Sequence, residues 1–255
     1  MDKSAKNVLN VVLTMKWLAA TALSVSVLGG FFMQPALADI PASERQFLLD
    51  LYDSTGGDNW HRNDHWGDAE GTECSWIGVT CDMDKEHVVE LNLISNNLVG
   101  SLPQTLNNLQ HLREFSIGDN QLSGSIPPLQ GLTSLSSFKA YHNDLSGPIP
   151  SLQGLVNLKT FHAGSNKLTG HIPSLQGLDS LESIEVSNNQ LSGPIPPLEG
   201  LTALQGFSAI NNKLSGEIPP LQGLDNIQQL QLSRNQLTGT IPSLQAITKT
   251  ALFRT

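Results

Sequence analysis

Aromatic and charged side chains are scarce in this chain of 255 residues. Aromatic residues make up 5% of the sequence and charged residues 15%, although 39% of it is hydrophobic. Soluble domains usually contain about a quarter charged residues. The hydrophobic share is large enough for a folded core, which excludes disorder along the whole chain. Small and aliphatic side chains, rather than large rings, must therefore fill the interior.

Cysteines are few, and basic tracts are missing. Two cysteines cannot build a disulfide-rich scaffold or a zinc site with four cysteine ligands. The formal net charge is −9 and no run of Lys or Arg occurs, which argues against a nucleic acid partner. The sequence also lacks a GxSxG elbow, an HExxH helix and a phosphate-binding glycine loop. We therefore expect no enzyme activity, no cofactor and no bound metal.

The first 38 residues are typical of an export signal. Lysines precede an uncharged run at residues 17–38, which ends in Ala36-Leu37-Ala38. Secretory signal peptides have this order of charged, apolar and small residues, so cleavage is predicted between Ala38 and Asp39. The 22 uncharged residues could also span a bilayer as a retained anchor. Glycines and Pro35 interrupt the apolar run and favour removal. A secreted or periplasmic protein without a stable membrane span is expected.

A repeat of 23 residues runs through residues 109–246. The block LQHLREFSIGDNQLSGSIPPLQG begins at Leu109, and five further blocks follow in the same register. A first copy from Val88 has a final turn that is one residue longer. All seven copies carry an asparagine at one position: Asn96, Asn120, Asn143, Asn166, Asn189, Asn212 and Asn235. So short a unit cannot bury its own apolar face, so the copies must stack into a solenoid.

The residues before each asparagine have the pattern of a short strand. Apolar side chains alternate there, as in Leu91/Leu93, and three copies pair Phe with Ala, as in Phe138/Ala140. Alternating large and small side chains keeps the core volume nearly constant. The asparagine amide can satisfy backbone groups where the chain turns. Stacked copies are therefore expected to form an internal asparagine ladder.

The segment LxxLxxLxLxxNxLxGxIPxxLxxL resembles the plant-type leucine-rich repeat of receptor-kinase ectodomains and polygalacturonase-inhibiting proteins, over nearly all of residues 43–245. This resemblance implies an α/β repeat solenoid, that is, a curved leucine-rich repeat with a parallel concave sheet, about seven repeats and a helical N-terminal cap. Short extended or 3₁₀ segments are implied on the other faces. Six repeats lack one residue after Ile-Pro, so their convex loops should be tighter. The expected organisation is a signal peptide at 1–38, a cap at 39–87, seven repeats at 88–246 and a partial eighth repeat at 247–255.

The expected cap combines a helix with a pair of cysteines. Ser43 and Gln46 have the spacing of a capping box at the start of an apolar helix face. From the residues alone, Cys74 and Cys81 could be free thiols, part of a metal site or a disulfide. Residues 74–81, CSWIGVTC, match the C-x-W-x-G-V-x-C element of the plant-type cap, and the resemblance implies a Cys74–Cys81 disulfide. Export is compatible with that bond.

The cap also contains a cluster of acidic residues and histidines. They lack the spaced oxygens and central glycine of a calcium loop. We interpret them as a solvated acidic loop: Asp58, His61, Asp64, His65, Asp68, Glu70 and Glu73.

The C-terminal end allows two interpretations. Ile247 and Phe253 fall on the first and seventh positions of the repeat, which predicts a partial eighth strand over the core. Alternatively, an exposed strand edge pairs with another molecule and forms an oligomer.

Residues that flank the apolar strand positions should face the concave side. Most are small or polar, and Glu90 and Glu114 lie at the strand entrance. The larger and charged ones converge in the middle repeats: Lys139, Tyr141, His142, His162 and Glu185. We interpret this group as a ligand-binding spot. The alternatives are a solvated charge ladder of little energetic value and a catalytic cluster around His162, for which no nucleophile is evident.

The predicted function is recognition of a protein or peptide on the concave face. An alternative implied by the resemblance is inhibition of an extracellular polysaccharide-degrading enzyme. A third is binding of a glycan, a host surface or ice through the regular face of the solenoid.

Overall fold

A computed structural model describes residues 39–242 and, for the backbone alone, residues 252–254. The predicted signal peptide with Ala38 lies outside the described residues, as does most of the partial eighth repeat. Within the described part, no helix is long and apolar enough to cross a bilayer.

The cap begins with one α-helix, Ala42–Ser54 (α1), and the predicted capping box is wrong. Pro41 occupies the N-cap position, and its carbonyl accepts hydrogen bonds from the amides of Glu44 (2.9 Å) and Arg45 (3.1 Å). The preset φ of proline suits a helix start, so Ser43 already lies inside the first turn. Gln46 instead donates to Asp50 Oδ1 at 2.7 Å.

Glu44 joins α1 to the first repeat. Its carboxylate is buried and accepts hydrogen bonds from the Val88 amide (2.7 Å) and from His87 Nδ1 (2.9 Å). The His87 ring stacks on His111 of the next repeat, with centroids 3.7 Å apart. A buried carboxylate is tolerated only when it is hydrogen-bonded, and these donors meet that requirement.

Aromatic rings fill the space between α1 and the repeats. Tyr52, Trp60, Trp66 and Trp76 form a connected chain in which successive centroids are 5.3, 4.9 and 5.2 Å apart. The three tryptophans are buried. This cluster covers the apolar end of the solenoid, which would otherwise be exposed to water.

The solvated-loop interpretation is wrong for Glu73. This side chain is buried and forms an ion pair with Arg45. The Arg45 guanidinium lies 5.2 Å from the centroid of Trp76. Arginine can pair with a carboxylate and stack on an aromatic face at once, so Glu73 belongs to the cap interior.

The Cys74–Cys81 disulfide is confirmed, with the two Cα atoms 5.4 Å apart. It links the 3₁₀ turn Glu73–Ser75 to the strand Val79–Cys81. Two other 3₁₀ turns span Gly57–Asn59 and Leu106–Asn108.

Reduction of this disulfide should lower the free energy of unfolding by about 2 kcal/mol. The effect is at the low end for a disulfide because the two cysteines are only seven residues apart in the sequence, so the bond closes a short loop. Thermal unfolding with and without dithiothreitol measures the effect. A Cys74→Ser/Cys81→Ser double variant serves as the control and should not respond to the reductant. A wild-type melting curve that dithiothreitol leaves unchanged would contradict the prediction.

The strands in chain order are Val79–Cys81 (β1), Val88–Asn92 (β2), Val99–Ser101 (β3), Glu114–Ser116 (β4), Gln121–Ser123 (β5), Ser137–Lys139 (β6), Ser146–Pro148 (β7), Thr160–His162 (β8), Lys167–Thr169 (β9), Ser183–Glu185 (β10), Ser192–Gly193 (β11), Gly206–Ser208 (β12), Lys213–Glu217 (β13), Gln229–Gln231 (β14), Gln236–Thr238 (β15) and Leu252–Arg254 (β16). The main sheet has the order β1-β2-β4-β6-β8-β10-β12-β14-β16. All its pairs are parallel except β1–β2, which is antiparallel. Smaller sheets, β3-β5, β7-β9 and β11-β13-β15, lie on a second side of the solenoid.

The core between these sheets is aliphatic, with one short stack of rings. The Phe115, Phe138 and Phe161 rings succeed one another at centroid distances of 5.6 and 5.2 Å. Ala140 and Ala163 are fully buried two positions after their phenylalanines. Small residues there leave room for the rings, as the alternation in the sequence predicts.

The convex side depends on repeat length. The longer first copy contains the 3₁₀ turn Leu106–Asn108, whereas the later copies make tight turns such as Leu132 N–H to Leu129 O, at 3.2 Å. At the C-terminal end, β16 pairs in parallel with β14. The chain's own strand therefore occupies the position beside β14.

Candidate ligand-binding face

The concave face is positioned by the repeated asparagines. We number the coils of the solenoid 1–7 by these residues, Asn96 to Asn235. In coil 4, Asn166 Oδ1 accepts from the Leu145 amide (2.9 Å), and Nδ2 donates to the carbonyls of Ala140 (2.9 Å) and Ala163 (3.2 Å). In coils 2–7, each asparagine thus joins its own coil to the preceding one and supports the turn after the main-sheet strand.

The first asparagine bonds to the cap instead. Asn96 Oδ1 accepts from the Arg62 amide at 2.7 Å, and Asn96 Nδ2 donates to the Arg62 carbonyl at 2.9 Å. The cap therefore supplies the backbone partners that a preceding coil would provide.

Three of the candidate residues stand side by side on adjacent strands. Lys139 on β6 is the register partner of His162 on β8, and His162 is the partner of Glu185 on β10. Parallel strands lie about 4.8 Å apart, so a cation, an imidazole and an anion follow one another along about 10 Å. All three are partly exposed.

His162 makes a contact that the sequence interpretation missed. Its Nε2 lies 2.8 Å from Ser183 Oγ. A hydroxyl is therefore adjacent to the imidazole, although no nucleophile was expected. Within residues 39–242, His162 Nδ1 has no hydrogen-bond partner. A catalytic serine–histidine pair needs a group on Nδ1 that orients the ring, and no residue of this range supplies a hydrogen bond there.

Burial is the main influence on the His162 imidazole. Loss of hydration lowers its pKa below the ordinary 6.5, Glu185 acts in the opposite direction, and Lys139 lowers the pKa further. The neutral ring is therefore the dominant form at neutral pH.

We expect the His162 imidazole to titrate below pH 6.5 in an NMR pH titration. Lys139→Met should raise its pKa, and Glu185→Gln should lower it. Because the folded-state pKa is depressed, the unfolded chain binds the proton first. The contribution of His162 to stability is therefore complete above pH 6.5 and is lost as the pH falls through the folded-state pKa. A titration midpoint at or above 6.5 would contradict this assignment.

The side chains of Tyr141 and Glu185 each lie over a glycine of the preceding coil, Gly118 and Gly164 respectively. A Cβ on Gly118 would come within 2.7 Å of Tyr141 Cζ, and a Cβ on Gly164 would overlap the Glu185 carboxylate. Neither glycine has a positive φ, so backbone strain does not explain its presence. Their role is to leave space above the sheet, which lets the Tyr141 ring and the carboxylate lie close to the backbone.

His142 lies at the rim rather than on the sheet. It follows β6 in a left-handed turn with φ of 50°, and its Nδ1 is 2.7 Å from Asp119 Oδ1. Its ring packs edge-on against Tyr141 with centroids 5.4 Å apart. Every coil has a left-handed residue here, with φ between 50° and 57°: Ser95, Asp119, His142, Ser165, Asn188, Asn211 and Arg234. The imidazole thus supports one side of the Tyr141 ring.

In residues 39–242, no group of three or more His, Cys, Asp or Glu side chains could hold a metal ion. The face offers a cation, an aromatic ring, two imidazoles and a carboxylate on an open surface. Such a surface can recognise a ligand of mixed charge.

Family comparisons match both parts of the chain. Residues 41–82 match the leucine rich repeat N-terminal domain, and residues 180–200 and 226–245 match the Leucine Rich Repeat. The LRR receptor-like serine/threonine-protein kinase EFR of Arabidopsis thaliana is 40% identical over 58 residues, which are 23% of this chain and 6% of EFR. The chain therefore corresponds to a small part of this relative.

Solved structures of plant receptors share the fold. The PEPR1–AtPEP1 structure superposes with a TM-score of 0.74 at 30% identity, covering 83% of this chain and 31% of the other. The plant peptide hormone receptor RGFR1 in complex with RGF2 gives a TM-score of 0.58 at 39% identity, with coverage of 60% and 25%.

Proposed function

Because this chain is a leucine-rich repeat protein with a plant-type N-terminal cap, we propose that it binds a protein or peptide outside the cytoplasm. The proposed contact surface, here called the concave centre, consists of Lys139, Tyr141, His142, His162 and Glu185. The similar RGFR1 structure is that of a peptide hormone receptor with a bound partner, and this likeness supports a binding role.

The arrangement of Tyr141 and Glu185 over Gly118 and Gly164 is the observation that carries the proposal. A flat aromatic ring beside charged groups is typical of the residues that dominate binding energy at interfaces. An extended peptide rises about 3.3 Å per residue. Three or four of its residues would therefore cover the strip from Lys139 to Glu185.

The proposed location is the cell exterior or the periplasm. The Cys74–Cys81 disulfide supports it, because such bonds persist in oxidising compartments. N-terminal sequencing of the protein recovered from its native host tests the predicted processing at Ala38 and Asp39. An intact leader on the recovered protein would contradict removal.

The experiment for the concave centre compares three proteins against the same sample. Wild type, Tyr141→Ala/His162→Ala and the convex-side control Gln176→Ala are used to capture proteins and peptides from the native medium, and captured molecules are identified by mass spectrometry. The partner is then purified and its affinity measured by calorimetry. We expect the double variant to lose about 30-fold or more, since a hot-spot truncation costs about 2 kcal/mol. Equal affinities for all three proteins would show that the concave centre is not the binding site.

Inhibition of a polysaccharide-degrading enzyme is a special case of protein binding and can be tested directly. A pectinase assay at micromolar protein would detect it, and full pectinase activity there would remove this candidate. The regular second side does not favour ice or glycan binding. Its strands pair with an offset, so that Ser146 lies opposite Lys167 and Ser215 opposite Gln236, and the surface chemistry changes from coil to coil.

A further inference from the structure

Two glutamates stand opposite each other at the entrance of the concave face. Glu90 on β2 is the register partner of Glu114 on β4. Leu91 and Phe115, the next residues along each strand, are buried in the core, so both glutamates face the concave side. Like charges placed directly opposite on neighbouring strands are destabilising. The fold therefore carries an electrostatic cost at this position.

The described part of the chain does not neutralise this pair. Within residues 39–242, neither carboxylate has a Lys, Arg or His nitrogen within 4.0 Å. Lys139 lies on the next strand of the sheet, where its register partner is Ser116, two residues after Glu114. It forms no ion pair with Glu114. Two negative charges thus remain side by side at the first and second coils.

Ser137 continues the same row on the third coil. It is the register partner of Glu114, and Phe138 after it is buried in the core. The residue is 8% exposed, and its Oγ has no hydrogen-bond partner in the described part of the chain. A buried hydroxyl without a partner is costly and needs an explanation. By contrast, Ser183, two coils further along the row, is bonded to His162.

We propose that Glu90, Glu114 and Ser137 form a subsite for a guanidinium group, supplied by an arginine side chain of the bound partner. This inference rests on the proposed binding function. A guanidinium presents five N–H donors in a planar fork, which can serve two carboxylates and one hydroxyl acceptor on strands about 4.8 Å apart. The bound guanidinium would then offset the repulsion between the two carboxylates and supply the hydrogen bond that the Ser137 hydroxyl lacks.

The test uses small probes, so it does not depend on knowing the natural partner. The full protein is titrated with N-acetyl-arginine amide, N-acetyl-citrulline amide or calcium chloride while backbone amide signals are followed by NMR. We expect saturable shifts at Glu90, Glu114 and Ser137 with the arginine probe and none with the neutral citrulline probe. Glu114→Gln should weaken the arginine probe about fivefold, as for the loss of about 1 kcal/mol. Glu199→Gln, on the convex side, is the matched control.

Three results would overturn the subsite. They are the absence of saturation with arginine, equal affinity in wild type and Glu114→Gln, or saturation of the same amides by calcium at lower concentration, which would indicate a metal site. These readouts are independent of the concave centre. If the Tyr141→Ala/His162→Ala variant retains full partner affinity while arginine still saturates, the concave centre fails as the contact surface and the subsite stands.

A measurement without any ligand checks the same idea. At low salt, Glu114→Gln should raise Tm, because it removes the repulsion from Glu90, whereas Glu199→Gln should leave Tm unchanged. If Glu114→Gln lowers Tm, the carboxylate makes a stabilising contact within the fold and is not reserved for a ligand.

Discussion

Replacing Phe138 by alanine should lower the free energy of unfolding by about 3–5 kcal/mol, the largest effect expected for a single side chain here. Phe138 is fully buried, and its ring lies between those of Phe115 and Phe161, at centroid distances of 5.6 and 5.2 Å. Removing the middle ring leaves a cavity and breaks both ring contacts. Urea unfolding followed by circular dichroism measures the loss.

The size of the cavity can be varied at the same position. Phe138→Leu should cost less than Phe138→Ala, because it preserves more of the volume. Tyr141→Ala removes a ring from the concave face of the same coil and should cost less than about 1 kcal/mol. An equal loss of stability for Tyr141→Ala and Phe138→Ala would contradict the prediction that the buried rings stabilise the fold while the Tyr141 ring on the concave face contributes little.

Asn189→Ala is expected to cost about 1–3 kcal/mol, although it removes only a small side chain. Asn189 Oδ1 accepts from the Leu168 amide at 2.9 Å. Its Nδ2 donates to the carbonyls of Ala163, Val186 and Ser187 at 3.0, 3.1 and 3.2 Å. The alanine variant leaves the Leu168 amide without a partner, and an unmet buried group costs about 1–3 kcal/mol. The three carbonyls each lose one donor but keep another, from Asn166 Nδ2, Asn212 Nδ2 and the Ser165 amide.

The neighbouring residue provides the control for this ladder position. Gln190 is exposed, and its side chain accepts one long hydrogen bond from Lys213 Nζ, at 3.3 Å. Gln190→Ala should therefore stay within about 0.5 kcal/mol of wild type. Asn189→Asp keeps the acceptor but loses the donors, so it should also be destabilised. If Asn189→Ala unfolds at the wild-type urea concentration, the asparagines do not stabilise the stack.

The repeats could be predicted because each carries the same local pattern. The alternation around Phe138 and Ala140 predicts a strand with both side chains inward, and both are fully buried. The cap was harder, because its contacts join distant residues. Glu44 and Val88 are far apart in sequence yet hydrogen-bonded, and Glu73 is buried against Arg45. The repeat pattern carries no information about such pairs, and the prediction of a solvated acid is therefore wrong for Glu73.

In the candidate site, too, the sequence predicts which residues are neighbours but not how their side chains are oriented. The register predicts that Lys139, His162 and Glu185 are neighbours, and the strand pairing places them so. The direction in which a side chain leans is not periodic. The Tyr141 ring over Gly118 and the Ser183 hydroxyl beside His162 depend on rotamers that the surrounding coils select.

The sequence by itself determined the stacked architecture, because every 23-residue unit has to bury its leucines and phenylalanines against its neighbours. It also determined which residues share a row of the concave sheet, since strand periodicity decides the side from which each residue projects. Only the tertiary structure decided which of those residues have partners. Glu90, Glu114 and Ser137 resemble any other polar entries of the repeat, and stacking the coils leaves two carboxylates and a buried hydroxyl unmatched. The sequence does not distinguish paired from unpaired polar residues because their hydrogen bonds and charge pairs form between coils, at distances that the order of residues does not encode.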